Sequence, residues 1–105
     1  MTAIRRAGAA RTIRPHAGRA AALLKALANE QRLMIVCHLL DRPLAVGELN
    51  ARIRLSQSAL SQHLAVLRAS GIVAAKRDAQ NVVYSLPPGV VPRLIGLLHS
   101  EFCAR

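Results

Sequence analysis

Two thiols and one run of small polar residues are the chemistry-bearing features of this chain. Cys37 and Cys103 are its two cysteines. A pair of thiols can be joined by oxidation, can bind a soft metal, or can fill apolar space as small hydrophobes. Ser56, Gln57, Ser58, Ser61 and Gln62 form the polar run. Ser hydroxyls and Gln amides hydrogen-bond base edges without adding charge, and Gln pairs in bidentate fashion with adenine in the major groove of DNA. Lys76, Arg77, Gln80 and Asn81 make a second cluster suited to phosphate and groove contact.

Other chemistries lack their residues. The chain has no C-x-x-C and no Gly-rich phosphate loop. Ser61 and His63 sit two apart on one helical stretch and point away from each other, so they make no nucleophile and base pair. His99 and Glu101 have the same defect as metal ligands, and Cys37, Cys103, His38 and His99 show no ligand spacing. Neither a catalytic role nor a metal or other cofactor is expected.

The elements that must position these residues follow from hydrophobic period. Ala20, Leu23, Leu24 and Leu27 repeat at i, i+3, i+4, i+7 and predict a first helix. Asn29 is placed to cap a second, in which Leu33, Val36, Cys37 and Leu40 form a stripe flanked by Met34, Ile35 and Leu39. Asp41-Arg42-Pro43 stops it, and Val46, Leu49 and Ile53 mark a short third helix. Ser56 and Gly71 bracket the fourth as N-cap and C′ residue.

At 100° per residue from Gln57, Arg68 falls at about 20°, Ser61 at about 40°, Ser58 at about 100° and Gln62 at about 140°. Leu60, Leu64 and Leu67 fall at roughly 280–340°. The fourth helix therefore has a polar face and an anchoring face. His63, near 240°, is off the polar face and suits packing or phosphate contact, and Arg68 suits backbone contact or packing.

Residues 72–77 and 82–86 are β-rich runs around Asp78-Ala79-Gln80-Asn81, which reads as a hairpin. Val91, Leu94, Ile95, Leu98 and Phe102 predict a last amphipathic helix with Cys103 at the edge of its stripe. The expected class is mainly α with a small β-hairpin, in the order α-α-α-α-β-β-α. Residues 1–16 show no period and are expected to be a flexible basic arm, with the domain proper over residues 17–105.

With 105 residues and 52% hydrophobic composition, the chain is expected to be one globular domain. Such a small core, with Tyr84 and Phe102 its only large aromatics, would gain from a second subunit. A net charge of +10 favours polyanions. No acid precedes Glu30, while Arg5, Arg6, Arg11, Arg14, Arg19 and Lys25 do. That pattern fits a solvated tail, a phosphate-touching arm, or an organelle transit peptide, for which nothing else in the chain asks. No apolar run approaches the ~18 residues of a membrane span, and no secretory h-region is present. A cytoplasmic protein, nucleoid-associated when on DNA, with two free thiols is expected.

The short third helix, a turn and the capped fourth helix read as a helix-turn-helix, and the hairpin that follows as a wing. With the segments LANEQRLMIVCHLL (27–40), VGEL (46–49), LSQSALSQHLAVLRASGIV (55–73) and RDAQNVVYSL (77–86), the chain resembles the ArsR/SmtB family of bacterial winged-helix repressors. One departure is Ala79, where the family's wing turn often has Gly.

The resemblance implies a homodimer through the first and last helices, bound to a palindromic operator on double-stranded DNA until an inducer arrives. Ser56, Gln57, Ser58, Ser61, Gln62, His63, Arg68, Lys76, Arg77, Gln80 and Asn81 are the expected DNA-facing residues. The segment where arsenic-type members carry a Cys-x-Cys is Leu44-Ala45-Val46-Gly47-Glu48 here, without a thiol. A cysteine on the second helix and one on the last is instead similar to the sulfide- and persulfide-responsive branch. That likeness implies that persulfide or polysulfide joins Cys37 to Cys103. Cys103 would face a negative helix-dipole end, which His99 and Arg105 oppose. Sensing of a metal or another signal with structural cysteines, and non-specific architectural coating of DNA, are the rival readings.

Overall fold

The computed structural model of the chain describes residues 6–103, and side chains from Gly8 onward. Residues 1–5, and Arg105 with its expected influence on Cys103, lie outside the described residues. Six α-helices and three short strands follow one another: α1 Arg6–Ile13, a 3-10 turn Arg14–His16, α2 Ala17–Leu27, α3 Glu30–Asp41, β1 Leu44–Ala45, α4 Val46–Arg52, α5 Gln57–Ala69, β2 Ala74–Asp78, β3 Asn81–Ser85 and α6 Val90–Cys103.

Helix ends are set by local chemistry. Asn29 Oδ1 accepts from the backbone N–H groups of Gln31 and Arg32 at 3.0 and 3.1 Å, capping α3. Ser56 Oγ accepts from Ala59 N–H at 3.1 Å, capping α5. At the other end of α5, Gly71 takes φ +73° and donates to Arg68 O, while Ile72 N–H returns to Leu67 O. These two bonds are a Schellman closure, and buried Leu67 and Ile72 supply its hydrophobic contact.

The strands form one antiparallel sheet in the order β1-β3-β2, with Leu44 opposite Tyr84 and Asp78 opposite Asn81. β1 is not apparent in the sequence because two residues carry no period. The core joins all the main helices: Leu27 from α2, Ile35, Val36 and Leu39 from α3, Leu49 from α4, Leu60, Leu64 and Leu67 from α5, and Val91 and Ile95 from α6.

Two expectations are corrected. Regular structure does not begin near Ala17, because a helix of 8 residues and a 3-10 turn precede it. Ala9 and Ala10 have high intrinsic helix propensity, which needs no apolar stripe and so escapes a search for period. The first hairpin strand also starts later than its β-rich run: Ile72 and Val73 are buried core residues ahead of β2 rather than part of it.

Candidate nucleic-acid interface and thiol cleft

The helix-turn-helix consists of α4, four connecting residues and α5. Asn50 Nδ2 donates to Leu55 O at 3.0 Å, tying α4 to the turn that launches α5. At the start of α4, Glu48 accepts from Ala45 N–H at 2.9 Å and from Arg42 at 3.0 Å. The Ala45 bond, with the Arg42 guanidinium second, holds the Glu48 carboxyl below its usual range.

On α5 the division of faces is complete. Gln57, Ser58, Ser61 and Gln62 are all exposed, as is the cap residue Ser56. Leu60, Leu64 and Leu67 are at most 2% exposed and form the seat of the helix. Burying each leucine contributes about 1.5–3 kcal/mol, so the polar face is displayed from a fixed base. Arg68 is exposed rather than packed, and it shares a groove with Ser61, Ala65, Ala69 and the β3 residue Tyr84. The wing residues Lys76, Arg77, Gln80 and Asn81 are exposed as well.

His63 departs from the other candidates. It is half-buried, and its Nδ1 lies 3.3 Å from an amino nitrogen of Arg32, whose Nε donates to Ala26 O at 2.6 Å. One arginine thus ties the end of α2 and the first turn of α3 to α5. Sequence reading missed Arg32 and Asn50. The available signal for Arg32 was a cation within a helix apolar most of the way round, which needs a partner when partly buried.

At the wing tip, Ala79 adopts φ +58°, the left-handed region, while Gln80 does not. A positive φ at only the first central residue is the pattern of a type II′ turn, in which glycine is favoured at that position. The alanine replacing the usual glycine keeps the tight turn at a cost in strain.

Away from this surface, Cys37 on α3 and Cys103 on α6 open onto one cleft of about 230 Å³. Its walls are Leu33, Ile95, Leu98 and Phe102, with His99 also present. Cys37 is half-buried and Cys103 exposed, and both are free thiols. Burial pushes the Cys37 thiol up, and the nearby charges of Cys103 and Asp41 push it further. Among the described residues, no three His, Cys, Asp or Glu side chains group as a metal-ligand set. Nor, among them, is any helix long and apolar enough to cross a membrane.

Comparison with known proteins agrees with this architecture. A family model for bacterial regulatory proteins of the arsR family matches residues 29–75. The transcriptional activator HlyU of Vibrio cholerae is 53% identical over 84% of this chain and 82% of its own length. A biofilm growth-associated repressor of Agrobacterium fabrum is 45% identical over 80% of this chain and 72% of its own. Among solved structures, reduced HlyU of Vibrio cholerae has a TM-score of 0.82 at 50% identity, covering 89% of this chain and 98% of that one. The transcriptional repressor BigR of Xylella fastidiosa has a TM-score of 0.82 at 39% identity, covering 90% and 97%. The chain belongs to the arsR family of bacterial regulatory proteins and is a DNA-binding transcriptional regulator with a winged helix-turn-helix fold, not an enzyme.

Proposed function

We propose that this chain is a homodimeric, sequence-specific repressor whose hold on a palindromic operator is released when persulfide links Cys37 to Cys103. The observation that carries the switch is the shared cleft: two thiols from different helices face one apolar space. The exposed polar face of α5 supports base reading, with Lys76, Arg77, Gln80 and Asn81 holding the wing on the backbone. Leu24 on α2 and Leu97 and Phe102 on α6 are 54%, 60% and 83% exposed, which supports pairing of two copies through those helices. Such a regulator works in the cytoplasm, and residues 1–16 add positive charge along the nucleic acid. Among the relatives, HlyU of Vibrio cholerae is described as an activator and the biofilm growth-associated protein of Agrobacterium fabrum as a repressor.

The chemistry runs in two displacements. The exposed Cys103 thiolate attacks the outer sulfur of a hydropersulfide R–S–SH, taking that sulfur and expelling R–S⁻. Cys37 thiolate then attacks the Cys103 sulfur and expels HS⁻, leaving a disulfide. Two thiols are oxidised, and one hydropersulfide is reduced to R–SH and H₂S. Retention of additional sulfur from a second hydropersulfide gives a polysulfide bridge. Because burial pushes the Cys37 thiol up, the second displacement quickens as pH rises. Closing the link ties α3, which carries Arg32, to α6, and so moves the base on which the reading helices rest.

The test is mass spectrometry of the persulfide-treated protein paired with mobility shift on the promoter of its own operon. An intramolecular link between Cys37 and Cys103 with loss of the shifted band supports the switch, as does a Cys37→Ser protein that keeps its band after treatment. Unchanged operator binding in a fully linked protein contradicts the switch and leaves DNA reading intact. Equal affinity for the promoter and random duplex at fixed salt supports non-specific coating instead.

A further inference from the structure

We infer that the thiol cleft selects its sulfur donor by apolarity, accepting hydropersulfides that carry a short alkyl group ahead of those that carry a charged, peptide-like one. The inference rests on the dithiol reading above and adds to it the class of molecule admitted. The sides of the cleft are aliphatic or aromatic, from Leu33, Ile95, Leu98 and Phe102. Among the described residues no Lys, Arg, Asp or Glu lines it, and its one polar ring, His99, belongs to an exposed residue. A carboxylate or ammonium carried into this space would shed water and meet no ion partner among the described lining residues. An alkyl chain meets matching walls, and the volume of about 230 Å³ sets how much of the chain those walls can cover.

Bulk electrostatics push the opposite way, which makes the inference sharp. A chain of net charge +10 attracts anions, so a donor chosen by long-range charge would be the anionic one. The cleft acts at the moment of transfer. While Cys103 takes the outer sulfur, the departing R–S⁻ still has its R group against the apolar walls, so contact with R lowers the barrier of the first displacement.

The experiment measures the rate of Cys103 persulfidation in the reduced full chain, by quenched mass spectrometry at physiological salt. The donors are methyl, butyl and hexyl hydropersulfide and glutathione hydropersulfide. The expected rate rises about two- to four-fold per added methylene, the scale of apolar transfer, then levels off once the chain outgrows the cleft. Glutathione hydropersulfide is expected to be slower than the butyl donor. Phe102→Ala removes one apolar wall of the cleft and is expected to flatten the chain-length dependence; a dependence that persists in a variant still dimeric by size-exclusion chromatography counts against the inference. Alkylation of Cys103 by iodoacetamide stays the same in both proteins, which separates donor contact from thiol reactivity. Equal rates for all donors, or glutathione fastest, overturn the inference. Failure of the dithiol reading looks different: Cys103 is persulfidated with the expected selectivity, yet no link to Cys37 follows or the operator stays bound.

Discussion

The reading helix α5 and the last helix α6 are held to the same core by different means. α5 has a side-chain cap, a glycine closure, three buried leucines and the Arg32–His63 tie. α6 is seated by Val91 and Ile95, and among the described residues no side-chain hydrogen bond joins it to the rest of the fold. Directional bonds fix an orientation, whereas apolar contacts tolerate sliding. The difference teaches where change can enter: the surface proposed to read DNA is pinned, and the seam that carries the thiols is not.

The largest effect should come from removing the seat of α5. Leu64→Ala leaves the polar face untouched and is expected to cost about 2–5 kcal/mol of stability, read by chemical denaturation. A loss below about 1 kcal/mol would mean that the helix is not anchored there. The next largest should separate the two faces. Gln57→Ala is expected to lower operator affinity by about 1–3 kcal/mol, roughly ten-fold or more, with an unchanged melting temperature. Equal losses for operator and random duplex would mean that Gln57 does not read bases.

A smaller, opposite effect is expected at the wing. Ala79→Gly relieves a left-handed alanine and should stabilise the protein by about 0.5–1 kcal/mol, measured as a rise in melting temperature. The smallest concerns the entry to α4. The folded Glu48 carboxyl lies below its unfolded value, so its contribution is present above the unfolded value and is lost as pH falls through the folded one. Glu48→Gln should therefore melt slightly below the native protein at neutral pH and together with it in acid. A gap that persists in acid would place the effect elsewhere.

Much of the reading head was legible because its determinants are local. Asn29, Ser56 and Gly71 act within a turn of their own position, and the leucine spacing on α5 projects directly onto a buried face. The face of α6 was legible for the same reason as far as Leu98, whereas Phe102, expected on the same stripe, is exposed; its proximity to Cys37 came only from resemblance to a family, since spacing along the chain does not reveal which helices touch. Long-range polar ties were illegible: Arg32 and His63 are 31 residues apart, and neither residue type announces the other. The α1 helix escaped notice because its support is alanine propensity rather than period, and β1 because two residues make no pattern.

Operator affinity measured by fluorescence anisotropy for one preparation, first with Cys37 and Cys103 reduced and then with the two fully linked, tests the switch most directly. A fall of about ten-fold or more on linking, reversed by a thiol reductant and absent in Cys37→Ser, is the expected result. The same affinity in both states, with mass spectrometry showing complete linkage, would contradict it.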